Sequence, residues 1–310
     1  MKARIWTAMI AVYIVWGSTY MAIRFAVETM PPFLMAATRF LIAGGILFAW
    51  RRRAGDALPT RRHWKSAAII GLFLLLGGNG GVVWAEQRVV SGVAALIVGA
   101  SPLWMVLIDA IRPGGKRPGW QTWLGVLWGF TGIALLVSPT EAGNGMHLYL
   151  PGVGVLLLAA FLWSAGSLYS RTACLPDSPL LGTGMEMLAG GTGLLIFGTL
   201  AGDWSRLDLA KIQMSSVWGL LYLIIFGSLV GFAAYTWLLR VAPTPLVSTY
   251  AYVNPLVAIF IGNLLASEPL TPRILISAGV IVSSVVLINL SKAAAPKAEA
   301  SAPAPCSGDD

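Results

Sequence analysis

Ten apolar runs, each long enough to cross a bilayer, constrain what this chain can become. A membrane's hydrocarbon core is about 30 Å thick and an α-helix rises about 1.5 Å per residue, so a spanning helix needs roughly 20 apolar residues. Suitable segments fall near 5–26, 33–50, 66–87, 92–111, 119–138, 151–170, 179–199, 215–239, 243–265 and 273–291. Charged residues make up only 11% of the chain, too few to clothe the surface of a soluble protein of 310 residues. The expected fold class is therefore all-α integral membrane protein with ten transmembrane helices. Pro31, Pro32, Pro118, Pro151, Pro179, Pro243 and Pro272 stand near proposed helix starts, where a missing N–H costs least. Lys2 and Arg4 before the first run resemble a signal peptide, but with no convincing processing site the run reads as a retained first helix. Residues 292–310 are rich in Ala, Pro and Ser, which predicts a disordered tail.

The basic residues orient this array. A net charge of +8 might point to nucleic acid, yet Lys and Arg sit in short clusters between apolar runs rather than along one face, so no nucleic-acid partner is expected. With the N-terminus inside, fifteen Lys and Arg fall in cytoplasmic segments, including Arg51, Arg52, Arg53, Arg61, Arg62 and Lys65. Only Arg88, Arg206, Lys211 and Arg273 fall outside, so the positive-inside rule predicts that both termini are cytoplasmic. Two cysteines, Cys174 and Cys306, make a poor disulfide framework and supply no metal cluster, and His63 and His147 are expected on opposite sides. No cofactor or metal is expected, and no Gly-rich run ends in a phosphate-binding Lys, which argues against ATP-driven transport by this chain alone. An integral-membrane enzyme or a channel is the different-class alternative.

The chain also repeats itself. At one offset Gly78 meets Gly231, Trp84 meets Trp237 and Pro102 meets Pro255, and Pro118 meets Pro272 after a one-residue slip. Earlier, Trp16 meets Trp163, Arg24 meets Arg171 and Gly44 meets Gly191. The matches keep their order and divide the helices into two units, 5–138 and 151–291, with a cytoplasmic tail from 292 to 310. Five spans is an odd number, so the second unit lies inverted relative to the first. Exchange between two such halves can open a central site to each side in turn, as alternating access requires.

Trp16-Gly17-Ser18-Thr19 with Arg24, Pro31-Pro32 with Arg39-Phe40, and Pro102 and Asn254-Pro255 in helices four and nine carry a resemblance. In their order and ten-span layout the chain resembles the drug/metabolite transporter superfamily, in its EamA-type ten-helix branch. It is similar there to bacterial inner-membrane exporters of amino acids and related metabolites. The resemblance implies a basket-like fold with a central cavity and secondary transport, usually export. Relatives divide among amino acids, other metabolites and drugs, so a multidrug or cationic-compound exporter is the alternative substrate class. The expected partners are a small-molecule substrate and membrane lipids, in a monomer or weak homodimer.

Residues four apart share a helix face, so Trp16, Tyr20 and Arg24 form an aromatic-to-cationic stripe, with Trp163, Ser167 and Arg171 as its inverted counterpart. Arg24 and Arg171 either snorkel to headgroups or help seal opposite gates. Gly77-Gly78-Asn79-Gly80-Gly81 lets helix three approach a neighbour closely or open locally, and Gly227, Gly231 and Tyr235 repeat the theme in helix eight. Trp163, Asn79, Tyr250 and Asn254 lead the candidate substrate contacts, followed by Trp16, Tyr20 and Tyr235, with Ser101 and Trp104 in helix four. Asn254 beside Pro255 serves equally well as an Asn–backbone bond stabilising a bend. The lining is expected to be aromatic and polar but poor in formal charge, which suits a small amphipathic solute.

Arg39 and Glu186 superpose in the repeat as opposite charges, but inversion puts them roughly 9 and 10 Å from opposite faces, so no pair is expected. Glu186 is the acid expected deepest in a span and the candidate for proton coupling; Glu86 and Asp109 lie nearer span ends. The layout places residues 51–65 inside and 139–150 outside. Cysteines introduced at Thr60 and Asn144, probed in intact cells with an impermeant thiol reagent, should react only at position 144; the reverse pattern would overturn the orientation.

Overall fold

A computed structural model describes residues 2–112, 118–138, 149–242, 244–247 and 249–294. Asn144, His147, Pro243 and the tail beyond 294 lie outside the described residues. The described chain is helical, without a strand, and the ten helices follow the expected spans. They are α1 (Lys2–Val27), α2 (Pro32–Arg53), α3 (Arg61–Ala85), α4 (Ser91–Ile111), α5 (Trp120–Val137), α6 (Leu150–Ser170) and α7 (Pro179–Leu200), then α8 (214–241), α9 (Tyr250–Ala266) and α10 (Pro272–Ala294). All but α9 are long and apolar enough to cross a bilayer; α9 is shorter and follows a separate turn, Thr244–Val247. Proline opens α2, α7 and α10, and Pro151 lies in the first turn of α6. Cys174 lies past the end of α6, and Cys306 lies outside the described residues.

Apolar side chains such as Ile42, Ile46, Leu124, Leu127, Phe260 and Leu264 are exposed along the outside of the bundle, as a lipid-facing surface requires. Trp6, Trp50, Trp64, Trp120, Trp204 and Trp218 are exposed near helix ends, where indoles favour the membrane interface. Inside, Phe40, Leu96, Ile97, Leu103 and Leu156 are fully buried. Helix α2 packs along α7, α5 along α10 and α4 along α9; each of these pairs maps onto itself when helix numbers are shifted by five. The others map onto one another: α1 on α8 and α9 corresponds to α6 on α3 and α4, and α3 on α7 to α8 on α2. That pattern is the contact map of two inverted five-helix repeats.

The Gly-rich segments do both things open to them. Leu72–Asn79 of α3 and Leu223–Val230 of α8 are wound as π-helices, within two residues of each other in the repeat. Immediately beside them the two central tryptophans dock. A Cβ on Gly78 would lie 3.1 Å from the Trp163 ring, and one on Gly231 would overlap the Trp16 indole nitrogen. Trp16 and Trp163 are repeat mates, as are Gly78 and Gly231, so one contact is built twice.

Carboxylates cap helices in the same symmetric way. Asp203, fully buried between α7 and α8, accepts from the backbone N–H groups of Phe33 and Leu34 at the start of α2 (3.0 and 3.2 Å). Its repeat mate Asp56 lies between α2 and α3, where it accepts a two-pronged bond from Arg51 (2.9 and 2.6 Å) and bonds Ser178, the N-cap of α7. Arg51 holds the Asp56 carboxyl down to about 2, helped by Ser178.

Two outcomes follow. A lowered pKa contributes stability above the unfolded value of about 3.9, lost as pH falls toward 2. The advantage of the wild type over Asp56→Asn in thermal unfolding should therefore vanish between about pH 4 and 2. Gly231→Val should destabilise the detergent-solubilised protein by about 1–3 kcal/mol through overpacking against Trp16, while Gly154→Ala, with open space around it, should not.

Candidate functional site

The side chains that matter lie along one line between the two faces. Here the N-terminal face is the end where α1 begins, and the distal face is the end where it finishes. Near the N-terminal half, Trp16 meets Phe232, Tyr235 and Tyr250 at ring-centroid distances of 5.3, 5.0 and 5.3 Å, and Tyr235 meets Tyr250 at 5.7 Å. These edge and tilted contacts make an aromatic box between α1, α8 and α9. Trp16 Nε1 donates to the Gly227 carbonyl (3.2 Å), inside the π-wound stretch of α8, so the box is tied to that winding. Arg171 reaches Tyr235 electrostatically from the N-terminal face, and Tyr20 couples to Tyr250 on one side and to Glu86 on the other.

Toward the distal face the line becomes charged. Arg39 of α2 is only 4% exposed, and its Nε donates to Ser228 Oγ of α8 (2.9 Å). Its guanidinium also lies over the neighbouring Phe40 ring (4.6 Å). Arg24 forms an ion pair with Glu268, in the loop between α9 and α10. The same Glu268 carboxylate accepts from Ser91 N (2.9 Å), Ser91 Oγ (3.0 Å) and Gly92 N (3.1 Å), so it caps the first turn of α4. Glu268 thus ties α1, α4 and the α9–α10 loop together. Two local features hold it there: Ser267 adopts a left-handed conformation (φ 50°), and Gly262 leaves room that a Cβ would take from the carboxylate. The Asn263 side chain donates to the Glu268 carbonyl (2.9 Å).

Among the described residues no ion pair of this kind joins the repeats at Arg171 on the N-terminal face. Arg171, the repeat mate of Arg24, is exposed and forms no ion pair among the described residues. The connector corresponding to the Glu268 loop, Arg112-Pro113-Gly114-Gly115-Lys116-Arg117-Pro118-Gly119, contains no acid in its sequence. The two ends of the bundle therefore differ where the repeat would make them alike.

Other expected site residues take backbone roles. Asn254 is buried and, with its amide turned to suit its neighbours, donates to the carbonyls of Tyr13 (3.3 Å) and Tyr250 (3.2 Å). Asn79 Nδ2 donates to the Leu74 carbonyl (3.3 Å) within its own π-wound helix. Ser101 lies at a break in α4 around Ala100; its Oγ donates to Val98 O (2.5 Å), and its carbonyl accepts from Ser164 of α6 (2.9 Å). Trp104 joins Phe130 and Phe161 in a second ring cluster. Arg39 and Glu186 do not pair, as inversion implied. Glu186 lies where α7 crosses α3 beside Gly71, and forms no ion pair among the described residues.

The interior nonetheless holds buried formal charges. Arg39, Glu86 and Glu268 are 4, 3 and 5% exposed. Sequence reasoning set Glu86 aside as terminal and did not single out Glu268. The available signal was side rather than depth: both acids fall on the same expected face as Arg24.

Comparison with known proteins agrees with this architecture. The model of the EamA-like transporter family matches twice, over residues 4–138 and 150–290. The chain is 39% identical over 286 residues to the "Uncharacterized inner membrane transporter YedA" of Escherichia coli K12, covering 92% of this chain and 90% of that protein. It is 28% identical over 288 residues to the "WAT1-related protein At3g02690, chloroplastic" of Arabidopsis thaliana, covering 92% of this chain and 69% of the relative. A protein of known crystal structure, 19% identical, superposes with a TM-score of 0.62 over 92% of this chain and 96% of its own, a likeness of fold. The twofold match across both five-helix halves establishes that the chain belongs to the EamA-like transporter family.

Proposed function

We propose that this transporter exports small amphipathic solutes, amino acids first among them, across a bacterial inner membrane by alternating access, with both termini in the cytoplasm. The observation that carries the reading is the unequal closure of its two ends. Two inverted halves with matching contacts have one end clasped by Arg24, Glu268 and Ser91, while the connector equivalent to the Glu268 loop, residues 112–119, has no acid in its sequence. Alternating access needs such a pair of unequal states, exchanging places as the halves rock. On the fifteen-to-four distribution of basic residues the clasped end is external, so the structure corresponds to a state closed to the outside.

Substrate contact falls to the aromatic box of Trp16, Tyr235 and Tyr250, to Tyr20 beyond it, and to Trp163 on the opposing half. An ammonium group suits the faces of these rings, and the tyrosine hydroxyls and the Gly227 carbonyl region suit polar ends. Asn79 and Asn254 shape the helices that carry this surface. The same box favours the second reading, export of organic cations, because ring faces attract any poorly hydrated cation.

Solute counterflow in proteoliposomes, run with a panel of amino acids, nucleosides and cationic drugs, separates these readings. Saturable exchange of an amino acid is expected, with at least tenfold weaker apparent affinity in Trp16→Ala and Trp163→Ala and unchanged insertion. Exchange confined to cationic drugs would favour the second reading. Flux that does not saturate would indicate a channel, and solute turnover would indicate an enzyme.

A further inference from the structure

Glu86 closes α3 on the distal face and is 3% exposed, yet neither carboxylate oxygen has a hydrogen-bond partner. Among the described residues, the other buried acids on that face each have at least one engaged oxygen: Glu268 holds Arg24 and α4, and Asp203 caps α2 through Oδ2. Removing a carboxylate from water without a donor costs several kcal/mol, so burial favours the neutral acid there. Charged and titratable groups act on it electrostatically from three of the elements around it. They are Tyr20 and Arg24 on α1, Arg39 on α2, and Glu268 in the α9–α10 loop. Both arginines already have anchors, Glu268 for Arg24 and Ser228 for Arg39, and neither forms an ion pair with Glu86.

This is the arrangement of a group that changes charge when its surroundings change. With the clasp shut, Arg24 belongs to Glu268 and Glu86 is dry. Parting α1 and α4 from the α9–α10 loop frees Arg24 and admits water to the end of α3. An ionised Glu86 is then solvated and has two guanidinium groups within electrostatic reach.

We propose that Glu86 is a proton-binding site of the distal gate, carrying a proton while the Arg24–Glu268 clasp is shut and releasing it to water on that face when the clasp opens. Nothing is transferred except the proton, between the carboxyl oxygen and solvent. The inference rests on the alternating-access reading and moves the site of proton linkage from Glu186, in the middle of α7, to the gate. One proton linked to one gate changes the open-to-closed ratio by up to tenfold per pH unit, with high pH favouring the open end.

The test uses full-length protein in nanodiscs, with spin labels attached through a keto amino acid at Gln87 and Leu270, both exposed on the distal face. As pH rises, the inter-label distance distribution should shift toward longer values, approaching tenfold in population ratio per pH unit at its steepest. Over the same range, the infrared band of a protonated carboxyl should disappear. Glu86→Gln should remove both responses and keep the short distance at every pH. Glu186→Gln should retain both. Glu268→Gln should give long distances at every pH and keep the carboxyl band titrating at lower pH, because its hydrated Glu86 no longer needs its proton. Persistence of both responses in Glu86→Gln, or their loss in Glu186→Gln, would overturn the proposal, as would a wild type whose distances ignore pH. Circular dichroism and monodispersity of each variant guard against misfolding. Counterflow with the solute panel is scored separately: its absence counts against the transport reading, while the proton site stands or falls on the distances and the band.

Discussion

Inside a bilayer no water is available to satisfy a bare peptide group, and the architecture of this protein follows from that constraint. It makes every span a helix. It also makes helix starts the vulnerable points, since the first four N–H groups of each helix have no partner within it. Acids from the connectors supply part of what is missing. Asp203 serves α2, Glu268 serves α4, and Asp56 bonds the N-cap of α7. Each acid is offered by a loop of the opposite repeat, so the bonds that finish a helix also join the two halves.

This joining gives one of the caps a second use. Asp203 accepts from the backbone of α2, whereas Glu268 also holds the Arg24 side chain. The chain has no matching acid in the loop between α4 and α5, and Arg171 stays exposed. A duplicated protein with equal ends would have no preferred state. An acid in only one of two equivalent loops biases it, because opening that end breaks the Arg24–Glu268 pair, whereas Arg171 forms no ion pair among the described residues.

The aromatic centre depends on backbone departures from ideal geometry. Trp16 and Trp163 fit only because Gly231 and Gly78 present no side chain; Gly78 lies within one π-wound segment and Gly231 directly follows the other. The winding shifts the face that each helix presents and turns the Gly227 carbonyl toward Trp16. Close packing, rather than hydrophobic attraction between helices, holds such interfaces together in lipid.

Much of this was legible in the sequence. Span count follows from apolar run length, and the repeat from ordered Trp, Gly and Pro matches. Trp16, Tyr20 and Arg24 share a face because helical periodicity admits no other arrangement. The Gly run in α3 announced an unusual helix. What the sequence could not determine was pairing at a distance. Glu268 is 244 positions from Arg24 and 177 from Ser91, and only the stacking of α9 on α1 and α4 brings them together. Glu86 looked terminal because distance along a helix measures depth in the membrane, not enclosure by neighbouring helices. Asn254 was left between substrate and backbone, and only the packing of α9 on α1 brings the Tyr13 carbonyl within reach of its amide. One-dimensional pattern fixes which side chains share a helix face, since that depends on 3.6 residues per turn. Which faces meet, and so which charges are paired and which stand alone, is decided by how ten helices pack.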